Sequence, residues 1–178
     1  MKKNDTLRLA LAATFLALGF LLPFLTGNNR QLGSLLSLMH IPVLLCGFIC
    51  GWPYGLAVGF MTPLLRSLMI GMPMMLPAAL AMAFELAAYG ALSGILHAKL
   101  PKTSFFLFIS LLVSMLLGRP VWGIASLLIY RVMGDPFTLE IFWAAAFATP
   151  WPGILLHLVL IPAVLLSLRK ARLLPLKG

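Results

Sequence analysis

Apolar residues run along this chain in long blocks that polar clusters interrupt at only a few places. Six blocks stand out, at roughly Leu7–Thr26, Leu35–Gly51, Pro53–Gly71, Leu76–Leu96, Ser104–Met133 and Ile141–Leu168. Their lengths are close to or above the ~20 apolar residues that a helix needs to cross the hydrocarbon of a bilayer. Gly27-Asn28-Asn29-Arg30-Gln31 and Gly134-Asp135-Pro136 separate blocks with turn-prone polar sequence. Lys99, Pro101 and Lys102 cluster between the fourth and fifth. The boundary at Gly51-Trp52-Pro53-Tyr54-Gly55 carries no charge. It reads as a tight turn, because Pro53 has no amide proton and glycines flank it. The pattern predicts an all-α membrane protein: one integral domain over residues 1–178, a bundle of six transmembrane helices.

Composition and charge agree with that reading. The chain is 62% hydrophobic and 10% charged, against roughly 25% charged in a globular domain. No room remains for a soluble catalytic domain. Nine of the 13 lysines and arginines fall at three places: Lys2, Lys3 and Arg8; Lys99 and Lys102; and Arg169, Lys170, Arg172 and Lys177. With six spans these places share one face, and excess Lys and Arg mark the cytoplasmic side. Both termini are therefore expected in the cytoplasm, with Arg30 and Arg131 outside. The net charge of +9 does not call for nucleic acid, since no basic stripe interleaved with aromatics is present. The first block is longer than a secretory h-region and no A-x-A-like cleavage site follows it, so it reads as retained. H-E-x-x-H, G-x-S-x-G and phosphate-loop signatures are missing, so the chain is not read as an enzyme and cannot hydrolyse ATP by itself.

Ionisable residues inside apolar spans are costly and point to function. Arg66, Glu85, Arg119 and His40 all fall in the expected outer half of the membrane, and His157 lies in the sixth block. Met82, Glu85 and Tyr89 share one helix face, as do Arg119, Trp122 and Ser126. Trp151 stands between Pro150 and Pro152, which free backbone carbonyls at membrane depth. Charges at one depth with an aromatic wall predict an outward-facing pocket for a small, partly polar ligand. The residues leave alternatives open. Glu85 can pair structurally with Arg66 or Arg119, Arg66 can snorkel to headgroups, and His40 and His157 can be packing residues. Trp143, Tyr130, Trp52 and Tyr54 read as interfacial belt residues.

Small residues carry a second message. Ala13 and Ala17 form a small-xxx-small pair, and Gly47, Gly51, Gly55 and Gly59 recur every fourth position. Such faces serve close helix packing, within the bundle or against a partner. Cys46 and Cys50 read as small apolar packing residues, because no further Cys or nearby His completes a metal or redox site.

Several stretches resemble the substrate-binding S components of energy-coupling factor transporters. They are Met39-His40-Ile41-Pro42-Val43-Leu44-Leu45, Gly47 through Gly59 with its Gly-Trp-Pro-Tyr-Gly turn, and Pro152-Gly153-Ile154-Leu155-Leu156 running into Leu160-Ile161-Pro162. The likeness covers about residues 6–170. It implies a prokaryotic plasma-membrane subunit that captures a vitamin or related micronutrient from outside. It also implies docking on a membrane coupling subunit that carries two cytosolic ATPases. By the same resemblance, Ala13 and Ala17 match the motif that contacts the coupling subunit, and Gly27–Ser34, with Asn28, Asn29 and Arg30, matches the loop that gates the pocket. The start Met1-Lys2-Lys3-Asn4 lacks the His-bearing segment of the nickel and cobalt branch, so no metal substrate and no cofactor are expected. The candidate substrate-binding set is Arg119, Glu85, Trp151, Arg66, His40, Tyr89 and Trp122. Two embedded arginines against one glutamate point to an acidic ligand such as pantothenate ahead of riboflavin or a pyridoxine-like ring. The rival reading is a self-contained small secondary transporter or an oligomeric channel. The chain shows neither the internal repeat of the first nor the acidic ring motif of the second.

Overall fold

The computed structural model describes residues 3–27 and 30–171, and every regular element among them is helical. Helix α1 spans Lys3–Leu21 and tightens into a 3-10 turn at Leu22–Thr26. It is followed by α2 (Arg30–Leu36), α3 (His40–Cys50) and α4 (Trp52–Ile70). A π turn at Met75–Ala79 leads into α5 (Leu80–Lys99), then α6 (Ser104–Met133). A short α7 (Leu139–Trp143) and a π turn (Ala144–Ala148) precede α8 (Trp151–Lys170).

Five helical stretches are long and apolar enough to cross a membrane: Asp5–Thr26, Gln31–Cys50, Met75–Lys99, Ser104–Met133 and Leu139–Lys170. Helix α4 is not among them. Its 19 residues would reach about 28 Å at 1.5 Å per residue, close to the hydrocarbon thickness, but Pro53, Pro63 and Arg66 lower its apolarity.

Two features of the connections differ from the block pattern. The segment between the first and second blocks is partly ordered as α2, and α3 begins only at His40. Proline accounts for the break: Pro42 cannot donate an amide and its ring would clash with the carbonyl of Leu38 in a continuous helix. It is therefore tolerated only in the first turn of α3, and Ser37 turns the chain there with φ 47°. The sixth block is likewise divided, with Pro150 and Pro152 flanking the start of α8.

Helix α5 lies at the centre and packs on α3, α4 and α6. Its contact with α3 and α4 depends on glycines. A Cβ on Gly90 would come within 2.9 Å of Gly55 Cα, and one on Gly55 within 2.8 Å of Gly47 Cα. Most of the four-residue glycine repeat is thus spent inside the bundle, where missing side chains let three backbones meet. Gly51, with φ 95°, makes the turn between α3 and α4 that other residues rarely adopt. The core gathers Val43, Leu44, Leu86, Leu107, Leu111 and Ile161, all at most 2% exposed. Cys46 and Cys50 are buried in it as free thiols.

Candidate functional site

The end of α1, α2, the α2–α3 junction, the end of α4 and the start of α5 enclose a cavity of about 370 Å³. That size lies within the range of small-molecule sites, roughly 300–1,000 Å³. Leu38, Met39, Met72, Met74 and Met82 form much of its wall. Methionine thioethers adapt to irregular ligand shapes at little cost. Polar groups come from Thr26, Ser34, Ser37, His40 and Arg66.

Arg66 is held in place rather than extended to the surface. It is 4% exposed, its Nη1 donates to the Phe20 carbonyl oxygen at 2.7 Å, and its guanidinium carbon lies 4.8 Å from the Phe24 ring centre. The Phe20 carbonyl belongs to the last turn of α1, where carbonyls lack intrahelical partners and a cation is favoured. Arg66 therefore closes α1 and presents a fixed positive charge to the cavity.

Next to the cavity lies a buried polar cluster. Glu85 Oε1 accepts from Arg119 Nη1 at 2.9 Å and from the Tyr89 hydroxyl at 2.8 Å. His40 Nε2 stands 3.9 Å from the same oxygen, and its Nδ1 lies 3.0 Å from the Ser37 carbonyl oxygen. A carbonyl only accepts, so Nδ1 carries the proton in that contact. The His157 ring stacks on His40 at 5.7 Å and 23°. Glu85, Tyr89, His40 and His157 are at most 4% exposed. Glu85 thus pairs with Arg119, which leaves Arg66 as the arginine lining the cavity. His40 belongs to both places, since it lines the cavity and touches the cluster.

The remaining sequence candidates lie elsewhere. Trp122 packs against Phe137 at 6.0 Å and Phe142 at 6.2 Å, beside a shallower hollow between α6 and α7. Trp151 is 59% exposed and outside the cavity wall. Asn28 and Asn29 lie outside the described residues, as does the side chain of Arg30. Ala13 and Ala17 are exposed on α1, whereas Ala12 is buried and Gly19 packs against Thr62. The wall contributed by Gly71–Met74 did not figure among the sequence candidates. Its signal was present as a run of Met and Pro between two helices, too irregular for a helix-face argument. Among the described residues no cluster of three or more His, Cys, Asp or Glu could hold a metal ion.

Comparison with curated proteins and with solved structures finds no match. The family model for the ECF transporter substrate-specific component matches residues 7–168. That match takes in every helix that builds the cavity and the buried cluster, and the chain belongs to the ECF transporter substrate-specific component family.

Proposed function

We propose that this protein spans a prokaryotic plasma membrane six times, with both termini in the cytoplasm, and captures an acidic vitamin-like molecule in the cavity beside Arg66. The observation that carries the reading is a mostly apolar cavity with one fixed guanidinium in its wall. The cavity lies at the opposite end of the bundle from Lys99, Lys102 and Arg169, so cytoplasmic basic residues would place it outside. Helix α4 serves as the remaining span: α1, α3 and α5 pack along it, and its Thr62 and Arg66 are buried against α1, away from lipid.

An anionic group would sit toward Arg66, with His40, Ser37 and Thr26 offering hydrogen bonds and the methionines taking the apolar body. Pantothenate, which combines a carboxylate with a small aliphatic body, fits this division. Glu85 and Arg119 would set the floor by orienting Tyr89 and His40. By the family resemblance, the segment of Asn28, Asn29 and Arg30, which precedes or opens α2 in the sequence, would gate entry.

Delivery to the cytoplasm would depend on a coupling subunit with two ATPases, docked on the exposed Ala13–Ala17 face. Glu85 is the one acid buried within the described spans, and it already accepts two hydrogen bonds. That engagement favours an ATP-driven partner over a proton-driven cycle of the chain alone.

The test is mass spectrometry of small molecules that stay with the purified protein, followed by calorimetry with the molecule found. Arg66→Met should weaken binding of an acidic ligand by about 2 kcal/mol or more, as expected for loss of a desolvated charge partner. A cationic co-purified molecule, or unchanged affinity in Arg66→Met, would overturn the assignment.

A further inference from the structure

At the end of the bundle opposite the cavity, one arginine joins three segments. Arg169 of α8 donates from Nη1 to the Lys102 carbonyl oxygen at 2.9 Å, in the loop between α5 and α6. Its Nη2 lies 3.4 Å from His97 Nε2 in the last turn of α5. His97 in turn packs edge-on against Phe48 of α3, at 5.4 Å. The guanidinium plane is therefore held by two acceptors. A guanidinium has five N–H donors in a rigid fork, so three remain unspent in these contacts. Arg169 is only half-buried, and the side chains of Lys102 and Lys170 beside it are exposed.

Acidic groups do little to balance this end. Of the chain's four acids, Glu85 is consumed by Arg119. Asp135 and Glu140 follow the far end of α6, and only Asp5 is near the basic end. A fixed fork whose carbonyl partner Lys102 and chain neighbour Lys170 are both exposed lysines suits a phosphate, whose tetrahedral oxygens accept bidentate N–H contacts.

The surface next to the cluster chooses between kinds of phosphate. Phe105, Phe108, Leu112 and Leu116 are 68%, 40%, 44% and 53% exposed. They follow one another at three- or four-residue steps, so they form a single stripe on α6. The stripe begins three residues after Lys102 and runs away from the charges along the helix. A free phosphate or an acidic peptide would use the charges and leave the stripe unused. A phospholipid uses both, its headgroup on the cations and an acyl chain along the stripe.

We infer that Arg169, Lys102 and Lys170, with the stripe led by Phe105, form a specific site for an anionic phospholipid. The bound lipid ties the α5–α6 loop to the end of α8. The site is independent of the cavity and of what the cavity binds.

Native mass spectrometry of the full chain, released from nanodiscs of equal phosphatidylglycerol and phosphatidylcholine with matched acyl chains, tests this. The wild type should retain phosphatidylglycerol over phosphatidylcholine. Lys102→Gln keeps the main-chain carbonyl that holds Arg169 and removes only a charge, so the fold is preserved. It should lower the preference about fivefold, the scale expected for one basic residue at an anionic membrane surface. Phe105→Ala should lower phosphatidylglycerol retention while leaving every charge in place. Arg169→Gln should remove the preference, with thermal melting recorded to detect a loosened fold. Equal retention of the two lipids by the wild type overturns the inference. So does an equal loss in Lys177→Gln, which would mean diffuse surface charge. Glycerol phosphate or inorganic phosphate that competes as well as phosphatidylglycerol would make the site one for free phosphate, and would likewise overturn the lipid assignment.

Discussion

Removing the Glu85 carboxylate should damage this protein far more than losing one interhelical hydrogen bond. At the observed 2.9 Å, the attraction between Glu85 and Arg119 is roughly 6 kcal/mol at an effective dielectric constant near 20. Desolvation of both groups offsets much of that in the intact pair. In Glu85→Leu the offset remains for Arg119, which is only 6% exposed, while the attraction is gone. A buried charge orphaned in this way costs about 3–5 kcal/mol. A typical hydrogen bond between membrane helices is worth only about 0.6 kcal/mol, and at most about 1.7. Arg119→Met should cost a similar amount, because it orphans Glu85. The double variant replaces both charges with apolar groups and should recover to within about 2 kcal/mol of wild type, since such swaps are often close to neutral. Glu85→Gln keeps an acceptor for Tyr89 but removes the charge, so it should resemble Glu85→Leu rather than wild type. The assay is reversible unfolding of the purified protein in mixed micelles with rising denaturing detergent. Single-variant losses under about 1 kcal/mol, or losses that add in the double variant, would refute the charge argument.

Three further outcomes are expected. Ala13→Trp or Ala17→Trp should abolish uptake in cells while calorimetry on the purified chain shows unchanged affinity, because both residues are exposed and neither lines the cavity; lost affinity would move these alanines into the binding machinery. Gly90→Leu should destabilise the bundle by about 3 kcal/mol, the upper end for overpacking, because the space of its side chain is filled by Gly55 backbone; a normal melting profile would contradict the observed helix approach. Trp151→Ala should leave ligand affinity within about twofold, since the indole is 59% exposed and outside the cavity wall; a tenfold loss by titration would show that Trp151 reaches the ligand in the bound state.

Local chemistry reaches as far as the helices and their interruptions. Runs of apolar residues predict spanning helices because hydrocarbon offers the backbone no other hydrogen-bond partner. Gly51, Pro53 and the charged Lys99–Lys102 segment mark turns by their own stereochemistry or polarity. Helical periodicity also placed Glu85 and Tyr89 on one face, and they share a hydrogen bond. Tertiary packing decided what periodicity cannot reach. Whether Glu85 pairs with Arg66 or Arg119 depends on which helix turns which face toward α5, and the small glycines of α3 and α4 set that rotation. Once Arg119 took Glu85, Arg66 was directed to the end of α1 and to the cavity. Trp122 and Trp151 were indistinguishable from pocket aromatics in sequence, because an aromatic packed on neighbouring rings, as Trp122 is, or an exposed one, as Trp151 is, has the same composition as one facing a ligand. The Met-rich wall at Gly71–Met74 has no periodicity to betray it; only closure of the chain onto α1 and α2 makes it part of a cavity.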